Sequence, residues 1–78
     1  MSAMKRYADD VQELTLRATG IAWNPYPKER SALFEELYSD CVKAADVYAD
    51  PVAVSLLLMH EVAEAYAEAF NAQKEVSA

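Results

Sequence analysis

His60, Glu61, Glu64 and Glu68 fall within one stretch, LLLMHEVAEAYAEAF, at residues 56–70. An imidazole and three carboxylates this close together can hold a cation or move a proton, provided that they converge. At 100° per residue His60, Glu61, Glu64, Glu68 and Asn71 share one arc of a helix, about 100° wide. Two metal spacings test that arc. The zincin pattern His-Glu-x-x-His needs a second histidine, and His60 is the only one in the chain. The Glu-x-x-His pattern of di-iron bundles needs a glutamate three residues before His60, where Leu57 stands. What remains is a weak hard-cation site at His60, Glu61 and Glu64. A catalytic Mg²⁺ site normally draws its carboxylates from two elements. The reading adopted is a stripe facing solvent or a partner, with no metal and no cofactor.

Nucleophilic catalysis has less support. Cys41 lies in the middle of an apolar helical arc, where a thiol packs as a small hydrophobe. Gly20 is the only glycine, so no glycine-rich phosphate loop exists. A single cysteine excludes an internal disulfide.

The segment around His60-Glu61-Val62-Ala63-Glu64 resembles the first acidic helix of the all-α nucleoside triphosphate pyrophosphatases of the MazG type, which carry Glu-Glu-x-x-Glu in an apolar helix. Histidine replaces the first glutamate here, and the resemblance covers about fifteen residues. It implies a Mg²⁺-dependent hydrolase completed by a downstream helix with Glu-x-x-Asp. No such pair follows Glu68. Glu36 and Asp40, upstream, have neither the order nor the spacing.

Three helical segments position these residues. Met4, Tyr7, Val11, Leu14 and Ala18 share one face of a first helix over about residues 3–19, with Gly20 as its stop. Phe34, Tyr38, Cys41, Ala45 and Tyr48 repeat at 4-3-4-3 spacing in a second helix over about 25–49, with Asn24–Pro25 as cap and first residue or with a later start near Lys28. Val52, Leu56, Met59, Ala63, Tyr66 and Phe70 repeat likewise in a third over about 51–74, capped by Asp50 ahead of Pro51. The chain is predicted to be one domain, an all-α three-helix bundle in which helices two and three form an antiparallel hairpin and helix one packs across them. Phe34, Leu37, Tyr38, Cys41, Met59, Val62, Tyr66 and Phe70 are predicted to fill the contact between helices two and three.

Composition narrows the function. The chain has 78 residues, 54% of them hydrophobic. It carries 13 acidic against 7 basic residues, a net charge of −6. Phosphate neutralisation needs lysine and arginine, so nucleic acid is excluded as a direct partner and a basic protein surface is favoured. The N-terminal residues lack the apolar core of a signal peptide. The longest apolar run, 52–59, falls short of the ~20 residues that cross a bilayer. A cytoplasmic protein is expected, with no membrane partner.

Two clusters suggest contacts outside the fold. Val54, Leu57 and Leu58 make the first half of helix three apolar nearly all round, as at a subunit interface, which predicts a homodimer. Trp23, Tyr26, Lys28 and Arg30 sit on a proline-stiffened connector, and Trp, Tyr and Arg are enriched in binding hot spots. With Glu61, Glu64 and Glu68 they form the predicted partner-binding set. The leading expectation is a small acidic interaction module, of the accessory or inhibitor kind common in phages and mobile elements. The alternatives are a reduced MazG-like hydrolase using Mg²⁺ and a structural subunit of a larger assembly.

Overall fold

The computed structural model describes residues 3–77, with side-chain surroundings for residues 6–75, so Met4 lies outside the described side chains. Three helices follow one another: α1 (Ala3–Ala22), α2 (Pro27–Ala45) and α3 (Pro51–Ser77). There is no strand among the described residues. All three helices pack on one another in an elongated bundle of 44 × 22 × 16 Å.

Gly20 does not stop α1. Its backbone stays helical, and the helix continues to Ala22 because Ile21 and Ala22 are both buried against the core. The last turn tightens instead, with Trp23 N–H donating to Gly20 O at 3.2 Å and Asn24 N–H to Ile21 O at 3.0 Å. Pro25 then forces the chain out of helical geometry.

Helix α2 starts at Pro27, not at Pro25. Tyr26 occupies the capping position with an extended backbone and no side-chain cap, and Pro27 is the first helical residue, where a missing N–H costs nothing. Asn24 serves the connector differently from the expected cap: its Oδ1 accepts the Tyr26 N–H at 2.9 Å. The helix also ends four residues before the expected 49, at Ala45. Residues 46–50 make the reversal, with Tyr48 N–H bonded to Ala45 O at 3.1 Å. Asp50 opens α3 as its sequence suggests, its Oδ1 accepting the Ala53 N–H at 3.2 Å.

Cross-helix pairs fix the directions. Arg30 lies over the Phe70 ring and Phe34 meets Tyr66 at 5.1 Å, so α2 and α3 are antiparallel. Tyr48 reaches Asp10 and Asp40 reaches Arg17, so α1 opposes α2. Tyr7 feels the charge of Glu61, and Gln73 Nε2 donates to Ala22 O, so α1 runs parallel to α3. Helix α1 therefore lies alongside the hairpin over its length; it does not cross it.

The core is narrow. Leu14, Ala18 and Ile21 from α1, Leu37 and Cys41 from α2, and Leu58 and Val62 from α3 form it. Ala18, Cys41 and Ala45 are small enough to let the helices approach closely. Of the predicted contact residues, Leu37, Cys41 and Val62 are buried, whereas Phe34, Tyr38, Met59, Tyr66 and Phe70 are only half-buried. The buried line of α3 is rotated from the 4-3-4-3 line read in sequence, because α3 must face α1 and α2 together. Val52 and Leu56 consequently point outward, 70% and 61% exposed, while Leu58 is sealed at the centre. Among the described residues no helix is long and apolar enough to cross a membrane.

Candidate partner-binding surfaces

The acidic stripe of α3 borders a shallow groove of about 300 Å³ beside α1. Glu61, Glu64, Ala65 and Glu68 form one wall, and Val11, Thr15, Leu16 and Thr19 form the other. Glu61 is half-buried near Tyr7, whose phenol is raised above its ordinary value by burial and further by the charge of Glu61. Glu64 and Glu68 are exposed. His60 is not among the groove-lining residues and meets one of them, Glu64, Nε2 to Oε1, at 3.1 Å. Both side chains are largely in water, so this pair, four residues apart on one helix, contributes a few tenths of a kcal/mol at most, about 0.2–0.5 when the imidazole is charged.

This arrangement spreads the imidazole and the carboxylates along one helix instead of converging them on a point. His60 and Glu61 lie about 100° apart around α3. Among the described residues no three His, Cys, Asp or Glu side chains come together to hold a metal ion. The wall across the groove offers a valine, a leucine and two threonine residues, and no carboxylate. Thr15 is also occupied locally, its hydroxyl donating to Val11 O at 2.6 Å. Among the described residues no lysine or arginine pairs with Glu61, Glu64 or Glu68.

Leu16 is an exposed residue of the groove wall that sequence reasoning missed. It stands on the outer face of α1, 65% exposed, flanked by Asp9 and Glu13 on its own helix and by the groove. The signal was available: projected on a helix, Leu16 lies opposite Leu14, Ala18 and Ile21 and belongs to no core. Trp23 continues the same outward strip, seven positions later, and is 57% exposed. The core is plugged at this end by Ile21 and Ala22, which leaves the indole outside.

The other connector residues divide. Tyr26 and Lys28 are exposed. Arg30 is half-buried and held within the fold: its Nη1 donates to Asn24 O at 2.7 Å and its guanidinium lies 5.4 Å from the Phe70 ring centre. It staples the connector to α2 and covers the end of the bundle. On α3, Leu58 is excluded from any interface by its burial in the core, and Val54 is half-buried against that core. The physical reason is that this turn of α3 is wedged between both neighbours, which already satisfy it. Leu57 alone of that trio faces solvent.

Cys41 is fully buried. Burial pushes its thiol above the ordinary value, with Asp40 acting in the same direction and the nearby Arg17 against it. A protonated, enclosed thiol is a packing group.

No protein-family model, curated protein or solved structure matches this chain.

Proposed function

We propose that this protein is an interaction module that receives a basic, amphipathic segment of another protein along the groove between α1 and α3. The observation that carries the reading is the composition of the two walls. Three glutamates without a lysine or arginine partner among the described residues, Glu64 being paired only with His60, face apolar and hydroxyl side chains. Leu16 and Trp23 extend the apolar wall on its outer side. A partner segment with lysines or arginines on one side and aliphatic residues on the next would meet both. Charge complementarity of this kind speeds encounter and selects partners more than it adds affinity.

The Mg²⁺-dependent hydrolase reading requires a second set of carboxylates across the groove from Glu61 and Glu64. Val11, Thr15, Leu16 and Thr19 occupy that side, so the geometry favours binding over hydrolysis.

A fluorescent peptide alternating Lys/Arg with Leu tests the reading by anisotropy. The expected result is saturable binding at low salt, weakened roughly tenfold or more when Glu61, Glu64 and Glu68 are changed together to Gln. Equal binding by the wild type and the triple variant, or pyrophosphate release from a nucleoside triphosphate that the triple variant loses, would overturn it.

A further inference from the structure

The opposite side of the hairpin is built differently. Phe34 and Tyr38 of α2 and Tyr66 of α3 line an open groove of about 510 Å³, away from α1. These rings stack edge to face, Phe34 on Tyr38 at 4.7 Å and Phe34 on Tyr66 at 5.1 Å, and Phe70 continues the row beside Tyr66 at 5.8 Å. None of the four is buried, whereas the largest fully buried side chains are Leu37, Leu58, Val62 and Cys41. The bulkiest apolar groups thus sit at the edge of the bundle while its centre holds smaller ones. Toward the turn the surface stays apolar through Val42, Leu56 and Val52, which are 46%, 61% and 70% exposed. Half-buried aromatic rings and exposed aliphatic side chains gathered on one side in this way mark an interaction surface more often than a chain that works alone.

The geometry points to a second copy of this chain as the occupant, packed antiparallel across α2 and α3 so that the two hairpins form a four-helix layer with α1 of each copy outside. Three features select a copy over another partner. The bundle is 44 Å long and 22 Å across at its widest, the scale on which one side can supply the about 800 Å² per partner that a standard interface buries. Secondly, the three glutamates of the α1–α3 groove point away from this face, which leaves Glu35, balanced by Arg30, as the acidic side chain lining its groove, so two chains of net charge −6 can meet here without opposing the acidic stripe.

Thirdly, the two ends of the strip carry opposite charge. Arg30 and Lys74 converge on Phe70 at one end, 5.4 and 5.0 Å from its centre. Asp46 and Asp50 occupy the turn at the other. Tyr38 stands midway between Arg30 and Asp46, about 12 Å from each along α2. A two-fold axis near Tyr38 therefore sets the basic end of each copy against the acidic turn of the other, twice over. A C2 interface needs this kind of self-complementary patch. The inference is independent of the groove proposed for a basic partner, which lies on the other side of α3.

Sedimentation equilibrium of the full chain tests it. The wild type is expected to be a dimer at tens of micromolar. Leu56→Glu is expected to be monomeric with an unchanged helical circular dichroism signal, and Leu57→Glu, on the α1 side of α3, to remain dimeric. Lys74→Glu and Asp46→Lys are each expected to raise the dissociation constant several-fold, and their combination to restore it. A wild type that stays monomeric at several hundred micromolar, as it would if this face served a different protein, would overturn the proposal. So would dissociation by Leu57→Glu with Leu56→Glu still dimeric. A charge-swapped double variant no tighter than the single ones would overturn the antiparallel arrangement.

Discussion

The phenolic hydroxyl of Tyr48 donates to Asp10 Oδ2 at 3.0 Å, tying the α2–α3 turn to the first half of α1. The Tyr7 ring backs this bond edge-on, 6.4 Å from Tyr48. One side chain of the turn thus holds the reversal in place and anchors it to a helix thirty-eight residues earlier. Tyr48→Phe keeps the ring and loses only the hydrogen bond. It is expected to cost about 0.5–1.5 kcal/mol, a fall of several degrees in the melting temperature of a domain this small. Thermal melts of the wild type and the variant at neutral pH measure it.

Leu57 and Leu58 are adjacent and are predicted to behave oppositely. Leu58→Ala opens a cavity between all three helices and is expected to cost about 2–5 kcal/mol. Leu57→Ala removes an exposed side chain and is expected to stay within about 0.5 kcal/mol of the wild type. Urea titrations of the pair decide the matter, and equal losses would mean that α3 is rotated from its observed setting.

Alkaline pH is predicted to destabilise the fold. Burial raises the Cys41 thiol, the Tyr7 phenol and the Tyr48 phenol above their ordinary values, and Asp10 adds to the effect at Tyr48. Each group therefore keeps its proton longer in the folded chain than in the unfolded one. The unfolded chain loses protons first, from its thiol near 9.0 and its phenols near 10.0. The stabilisation is fully present below those values and is lost as pH rises through the folded ones. Urea midpoints are expected to be level between pH 7 and 8.5, then to fall, and the fall is expected to be smaller in Tyr48→Phe. A level profile to pH 11 would contradict the burial at all three sites.

Cys41 supplies a chemical probe of the same core. Its sulfur is enclosed and holds its proton, so a thiol-reactive dye is expected to label it only through opening of the bundle. Labelling at neutral pH is expected to be slower than for a free thiol by a factor of hundreds or more, and to reach the free rate in 6 M guanidinium. Rapid labelling of the native chain would place the thiol at the surface.

The three helices, the Asp50–Pro51 start of α3 and the antiparallel hairpin were legible from apolar spacing and proline chemistry, because these signals are local. The rotation of each helix was not. A 4-3-4-3 line marks where apolar residues are dense, but burial depends on where two neighbours stand. In α3 the densest line, from Val52 to Phe70, is the edge of the core, and the smaller set around Leu58 and Val62 is its centre. The stop expected at Gly20 failed for the same reason, since tertiary burial of Ile21 and Ala22 outweighs a glycine's local preference. The acidic stripe was readable as a set of residues, whereas the wall that faces it, supplied by Thr15, Leu16 and Thr19, depends on α1 lying parallel to α3.

That parallel setting has a consequence for how the module can be joined to anything else. Three helices that alternate in direction deliver the beginning of α1 and the end of α3 to opposite poles of a body 44 Å long. Closing the chain head to tail would need a connector of at least about 13 extended residues, so a short-linker circular permutant cannot keep this topology. Cargo attached at both ends would be held apart by the length of the bundle, 44 Å.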